Sequence, residues 1–158
     1  MTKPIRPLSA LLATTLAAAL CAAAFAAPSE QGAKWKPVQA DAQWISSPKG
    51  KGAVAVRFAV APGWEITSDS PVDPDAFPCE LTLRSKGIRF AAPRWPEPSR
   101  TPIPELGFDK LWFGGKFEAV VPAKAVGAYD TAATTGVFRY QACQGKMCLA
   151  PDSVSVAF

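Results

Sequence analysis

Sixteen prolines are spread through 158 residues, and they restrict this chain more than any other feature. A proline in a helix interior costs about 3 kcal/mol and removes a backbone donor. Between Pro37 and Pro104 no proline-free run exceeds 14 residues, and none shows the pattern of an amphipathic helix. Longer proline-free runs occur only at 8–27, 105–121 and 123–150. Strands tolerate this punctuation when they are short and when the prolines fall at edges and turns.

Period-two patterning says the same. In Ala53–Val60 the large apolar residues are Val54, Val56, Phe58 and Val60, one face of a half-buried strand. Similar short runs lie at 64–67, 79–83, 87–90, 116–121 (ending at Pro122), 137–141 and 153–158. The last of these puts Val154, Val156 and Phe158 on one face. Pro93, Pro96, Pro98, Pro102 and Pro104 confine 91–104 to a sheet edge or an ordered surface loop. Residues 27–50 are polar and read as a loop or edge segment. Many short strands without a helix predict an all-β sandwich or barrel, with an immunoglobulin-like sandwich over residues 51–158 as the expected form.

The beginning of the chain follows a different rule. Lys3 and Arg6 precede an apolar run, Leu8 to Cys21, and then Ala24-Phe25-Ala26, the layout of an export signal with a small-residue cleavage site. The expectation is a signal peptide over 1–26 and a periplasmic domain not inserted in the membrane. The apolar run is shorter than the roughly 20 residues of a membrane span. Leu20 occupies the place before Cys21 where a lipid-attachment site wants a small residue. Loss of Lys3 and Arg6 lowers the formal net charge of +4 by two. The remaining cations are scattered without interleaved aromatics, so no nucleic-acid partner is expected.

There is no histidine. Ser-His-Asp and Cys-His catalysis, histidine-held zinc and covalently attached haem are thereby excluded, and no cofactor is expected. Thiols are what remains: Cys79, Cys143 and Cys148. Cys79 lies in a short strand, where a buried inert thiol is the usual outcome. Cys143 and Cys148 flank four residues that include Gly145, which lets the chain turn and the pair close. So small a ring contributes only about 2 kcal/mol of unfolded-state restriction. Spacing alone leaves two readings, a staple and an exchangeable disulfide. Met147 adds a third, a copper(I) site with Cys143 and Cys148.

The segment Tyr140-Gln141-Ala142-Cys143 through Cys148-Leu149-Ala150-Pro151 resembles the cysteine segment of the N-terminal domain of DsbD-type thiol:disulfide interchange proteins. Pro62-Gly63-Trp64-Glu65-Ile66, Leu106-Gly107-Phe108 and Trp112-Phe113-Gly114 extend the similarity in the same order. The resemblance implies an immunoglobulin-like domain that carries reducing equivalents. Its partners would be thioredoxin-like periplasmic proteins and a membrane thiol-electron transporter. It assigns Cys148 to the mixed disulfide and Cys143 to its resolution, Trp112, Phe113 and Gly114 to a cap over the pair, and Tyr140 to a place beside it. Lys110 and Leu111 stand before that aromatic, where the family can carry acids, and Asp109 is the nearest acid. These residues contain neither a transmembrane conduit nor a thioredoxin-like domain, so the reductant is expected on another protein. An adaptor with an inert disulfide is the competing expectation.

Overall fold

A computed structural model describes residues 35–49 and 51–158; the signal segment expected over 1–26 lies outside them. Twelve strands form, and no helix occurs among the described residues. In chain order they are β1 (Val38–Ser46), β2 (Gly52–Val60), β3 (Glu65–Thr67), β4 (Glu80–Arg84), β5 (Ile88–Phe90) and β6 (Ser99–Ile103). Then follow β7 (Phe108–Gly114), β8 (Lys116–Ala125), β9 (Thr135–Tyr140), β10 (Ala142–Gln144), β11 (Met147–Cys148) and β12 (Asp152–Val156). They make three sheets, ordered β1-β2-β8-β5, β11-β10-β3-β7-β6 and β12-β9-β4, with every strand pair antiparallel.

The alternation in β2 does what its pattern demands. Val54, Val56, Phe58 and Val60 are buried and face Ala119 and Val121 of the neighbouring β8. Phe58 meets Phe117 of its own sheet at 4.7 Å and Phe138 of the β9 sheet at 4.4 Å between ring centroids. Phe117 stacks on Phe113 of β7 at 4.8 Å, so one run of aromatic rings joins all three sheets. Trp44, Trp64 and Trp95 pack against this core, whereas Trp35 is exposed and lies against Trp64.

Of the segment 27–50, read as a loop or edge segment, the second half is the edge strand β1, paired with β2 along its length. Its alternation, Val38, Ala40, Ala42 and Trp44, rests on two alanines, too small to mark a buried face from sequence. Strand β8 passes through Pro122 instead of ending there. The proline carbonyl accepts from the Ala91 N–H at 2.9 Å, and its missing donor falls where the adjoining segment shifts register between Phe90 and Arg94. The proline-rich stretch behaves as expected: β6, with Pro102, is an edge strand.

Truncating a ring at this junction removes contacts to two sheets at once. Phe138→Ala is expected to lower unfolding free energy by about 3–5 kcal/mol, measured by urea denaturation. A loss below 1 kcal/mol would show that the sheets do not depend on this ring.

Candidate functional site

Strands β10 and β11 form a hairpin at the edge of the second sheet, with Gln144 opposite Met147 and Gly145-Lys146 as its two-residue turn. Gly145 has φ of 59°, the left-handed conformation such a turn needs at its first central position. The turn places Cys143 directly opposite Cys148, with Cα atoms 4.0 Å apart and the sulfurs bonded. Beyond the pair, the Leu149 N–H donates to the Ala142 carbonyl at 2.9 Å. Gln141 Nε2 donates to the Leu149 carbonyl at 3.1 Å.

The two cysteines differ in access. Cys143 is 3% exposed, held from the inner side by β3, where its partner is Glu65. Cys148, on the outermost strand, is exposed. Both line a cleft of about 210 Å³ between the segment 71–76 and strand β7. Phe108, Leu111 and Ile103 supply its apolar wall, and Asp73, Asp75 and Asp109 its acidic rim.

Trp112, Phe113 and Gly114 lie elsewhere. They belong to a paired strand, opposite Thr67, Ile66 and Glu65, and are not among the residues lining the cleft. Phe113 is buried and stacked on Trp95 and Phe117. The Trp112 indole N–H donates to Thr101 Oγ1 at 2.9 Å. The resemblance assigned these residues to a cap over the pair; here they form a strand in which Phe113 fills the core. Tyr140 is also in the core, stacked on Phe138 and next in sequence to Gln141, which does line the cleft. Its hydroxyl finds no hydrogen-bond partner among the described residues.

One polar pair was missed from sequence. Lys110 Nζ binds Glu65 Oε1 in a half-buried ion pair. Forty-five residues separate the two, and only the pairing of β3 with β7 brings them together. The pair neutralises the carboxylate opposite Cys143, and an unpaired carboxylate there would oppose a thiolate. Phe108 belongs to the Leu106-Gly107-Phe108 motif, and nothing local marks it as a cleft wall. Met147 and Cys148 are successive strand residues, so their side chains take opposite faces, against the three-ligand copper arrangement. Cys79 is free and buried. Burial, and after it the Asp69 carboxylate, pushes its thiol well above the ordinary value. Burial, then Asp152, raises the Tyr140 phenol to about 12.

Fold and site define a class: an all-β sandwich of immunoglobulin-like kind carrying a disulfide between the strands of an edge hairpin. The family model described as "Thiol:disulfide interchange protein DsbD, N-terminal" matches residues 34–158, and the chain belongs to that family. Among solved structures, the N-terminal periplasmic domain of ScsB from Proteus mirabilis superposes with a TM-score of 0.55 at 19% identity, over 78% of this chain and 47% of that one. The chain therefore spans less than half of that structure, and the likeness is one of fold. The reduced N-terminal domain of Neisseria meningitidis DsbD gives a TM-score of 0.46 at 17% identity, over 75% of this chain and 80% of that one. A search of curated proteins gave no match.

Two measurements follow. Lys110→Met leaves Glu65 unpaired, so alkylation of the reduced cysteine pair near neutral pH is expected to slow a few-fold; an unchanged rate would remove the ion pair from the chemistry. The Cys79 thiol is raised in the folded state, so above its ordinary value of 9.0 the unfolded chain loses a proton that the folded chain keeps. Stability therefore falls as pH rises beyond about 9, by at most about 1.4 kcal/mol per pH unit. Tyr140 adds a second loss from pH about 10 to 12. Thermal midpoints of Cys79→Ala should show a shallower alkaline decline than the wild type, and equal slopes would contradict the burial.

Proposed function

We propose that the domain is a periplasmic carrier of reducing equivalents, passing them between protein partners through Cys143 and Cys148. The observation that carries this reading is the unequal access of one bonded pair. An inert staple gains nothing from one exposed sulfur-bearing residue over a cleft, whereas an exchange site requires it. Residues 1–26 would serve as the export leader. The ScsB domain of like fold is a periplasmic one, which supports the same compartment here.

The exchange runs in two balanced steps. A thiolate of a thioredoxin-like reductant attacks Sγ of Cys148; the Cys143–Cys148 bond breaks, an intermolecular disulfide forms and Cys143 takes a proton. The second thiol of the reductant then attacks its own sulfur in the mixed disulfide, releasing Cys148 and leaving the partner oxidised. Two electrons and two protons have moved into the domain. Passing them on reverses the roles: the Cys148 thiolate attacks the client disulfide, and Cys143 resolves the adduct.

Shielding of the pair falls to Phe108 and Leu111, which line the cleft, with Trp112, Phe113 and Gly114 as the anchored root of the same strand. Val72, Leu106, Met147 and Leu149 are exposed apolar side chains on the segments around the hairpin. Such a ring suits docking of another protein.

The test is trapping. Reduced Cys143→Ala should form a mixed disulfide with a thioredoxin bearing one activated active-site cysteine, and Cys148→Ala should not. Adduct formation through Cys143 alone would reverse the two roles. The wild-type pair should have a reduction potential of roughly −120 to −270 mV; a value below about −300 mV would make it a staple.

A further inference from the structure

The far end of the first sheet carries a row of like charges. Arg89 of β5 is directly opposite Lys124 of β8. On the other side of β8 the pairing Gly52↔Ala123 sets Lys51, one position earlier, opposite the same Lys124. Three adjacent strands thus present cations at one level, all of them exposed and on the sheet face turned away from the core. Arg94, bridged to Val120, adds a fourth cation on that face. The four line an open groove of about 340 Å³ with an apolar floor that includes Ala91 and Pro122.

Like charges opposite one another in a sheet are destabilising unless something neutralises them. Among the described residues nothing does. No carboxylate lines the groove, and none of the four cations has an ion-pair partner among the described residues. Further along the same outer face the situation differs. There Arg57 pairs with both Asp41 and Glu118. One half of the face balances its charge internally; the other leaves it for a ligand.

We propose that this groove seats the phosphate of an anionic phospholipid at a membrane surface, adsorbing the domain without inserting it. An amphiphile matches both features, since its phosphate meets the cation row and its glycerol-ester region the apolar floor. Free phosphate would leave that floor unused. An acidic peptide would look for a strand edge to extend, and β5 offers only three residues. The placement also makes mechanical sense. Gly114 lies on a row with Glu65 and Cys143 and is two residues before Lys116, where β8 begins; Lys124 is near its end. Eight residues at about 3.3 Å each set the cation row roughly 26 Å along β8 from the start nearest the disulfide. A domain resting on the groove would hold its hairpin clear of the lipid.

The test is co-sedimentation of the full chain with vesicles of phosphatidylglycerol and phosphatidylcholine, compared with phosphatidylcholine alone. Each basic residue near an anionic surface contributes roughly fivefold in partition, so Lys51→Glu/Lys124→Glu should weaken binding to the anionic vesicles by at least about 25-fold. Lys116→Glu/Arg100→Glu makes the same change in net charge elsewhere and should retain wild-type binding to within twofold, with circular dichroism melting showing both variants folded. The proposal is overturned by equal losses in the two variants or by wild-type binding that ignores the anionic lipid. It is also overturned if millimolar inorganic phosphate alone displaces the protein from the vesicles at constant ionic strength, which would make the groove a free-phosphate site.

Discussion

Phe58 is where the first and third sheets meet. Its ring touches Phe117 across the strand pair, Phe138 across the sandwich and Trp95 from the proline-rich segment at 5.8 Å. Dispersion and burial at such a junction are shared terms, since each ring shields the others from water and none is buried as well alone. Phe113 extends the run into the second sheet and fixes β7. With β7 fixed, β3 has a template, and with β3 in place β10 can pair. The cysteine hairpin is the last member of that chain of dependence, with Ala142 of β10 in the core and β11 at the sheet edge.

How much of this could be read in advance follows from what each pattern encodes. Val54, Val56, Phe58 and Val60 announce β2 because large residues alternate with small or charged ones. Strand β1 has the same period with Ala40 and Ala42 in the inward places, and alanine does not distinguish a buried face from a turn. The cysteine pair was legible because sulfur at a short spacing around a glycine has few uses. The walls of its cleft were not. Phe108 and Leu111 acquire their place from the pairing of β6 with β7, and the Glu65–Lys110 ion pair from that of β3 with β7. Long-range register is not written in any local window. The same limit explains Trp112-Phe113-Gly114, which the resemblance assigns to a cap over the pair and which the fold builds into a paired strand outside the cleft.

Burial divides the three cysteines among the described residues into two kinds. Cys79 sits beside the core with its proton held by desolvation, and a thiol that cannot ionise neither attacks nor binds soft metals readily. It can therefore coexist with an exchangeable pair in one chain without scrambling it. Cys143 is as buried as Cys79 but is bonded outward, to the exposed Cys148. The difference lies in position, since Cys79 stands just before β4 while Cys143 and Cys148 face each other across the edge hairpin.

Opening the pair need not loosen the domain. Its ring is small, and the restriction it places on the unfolded chain is only about 2 kcal/mol. Strand β11 has two residues, both exposed, and pairs with β10 alone, so its detachment breaks no contact in the aromatic run. Strand β10 stays tied to β3, and the buried Ala142 remains opposite Ile66. Local and global unfolding are thus separated, as they must be wherever a bond is made and broken in the working cycle of a folded protein. A disulfide placed between Phe58's neighbours would tie its opening to the core, whereas one on β10 and β11 leaves the aromatic run untouched.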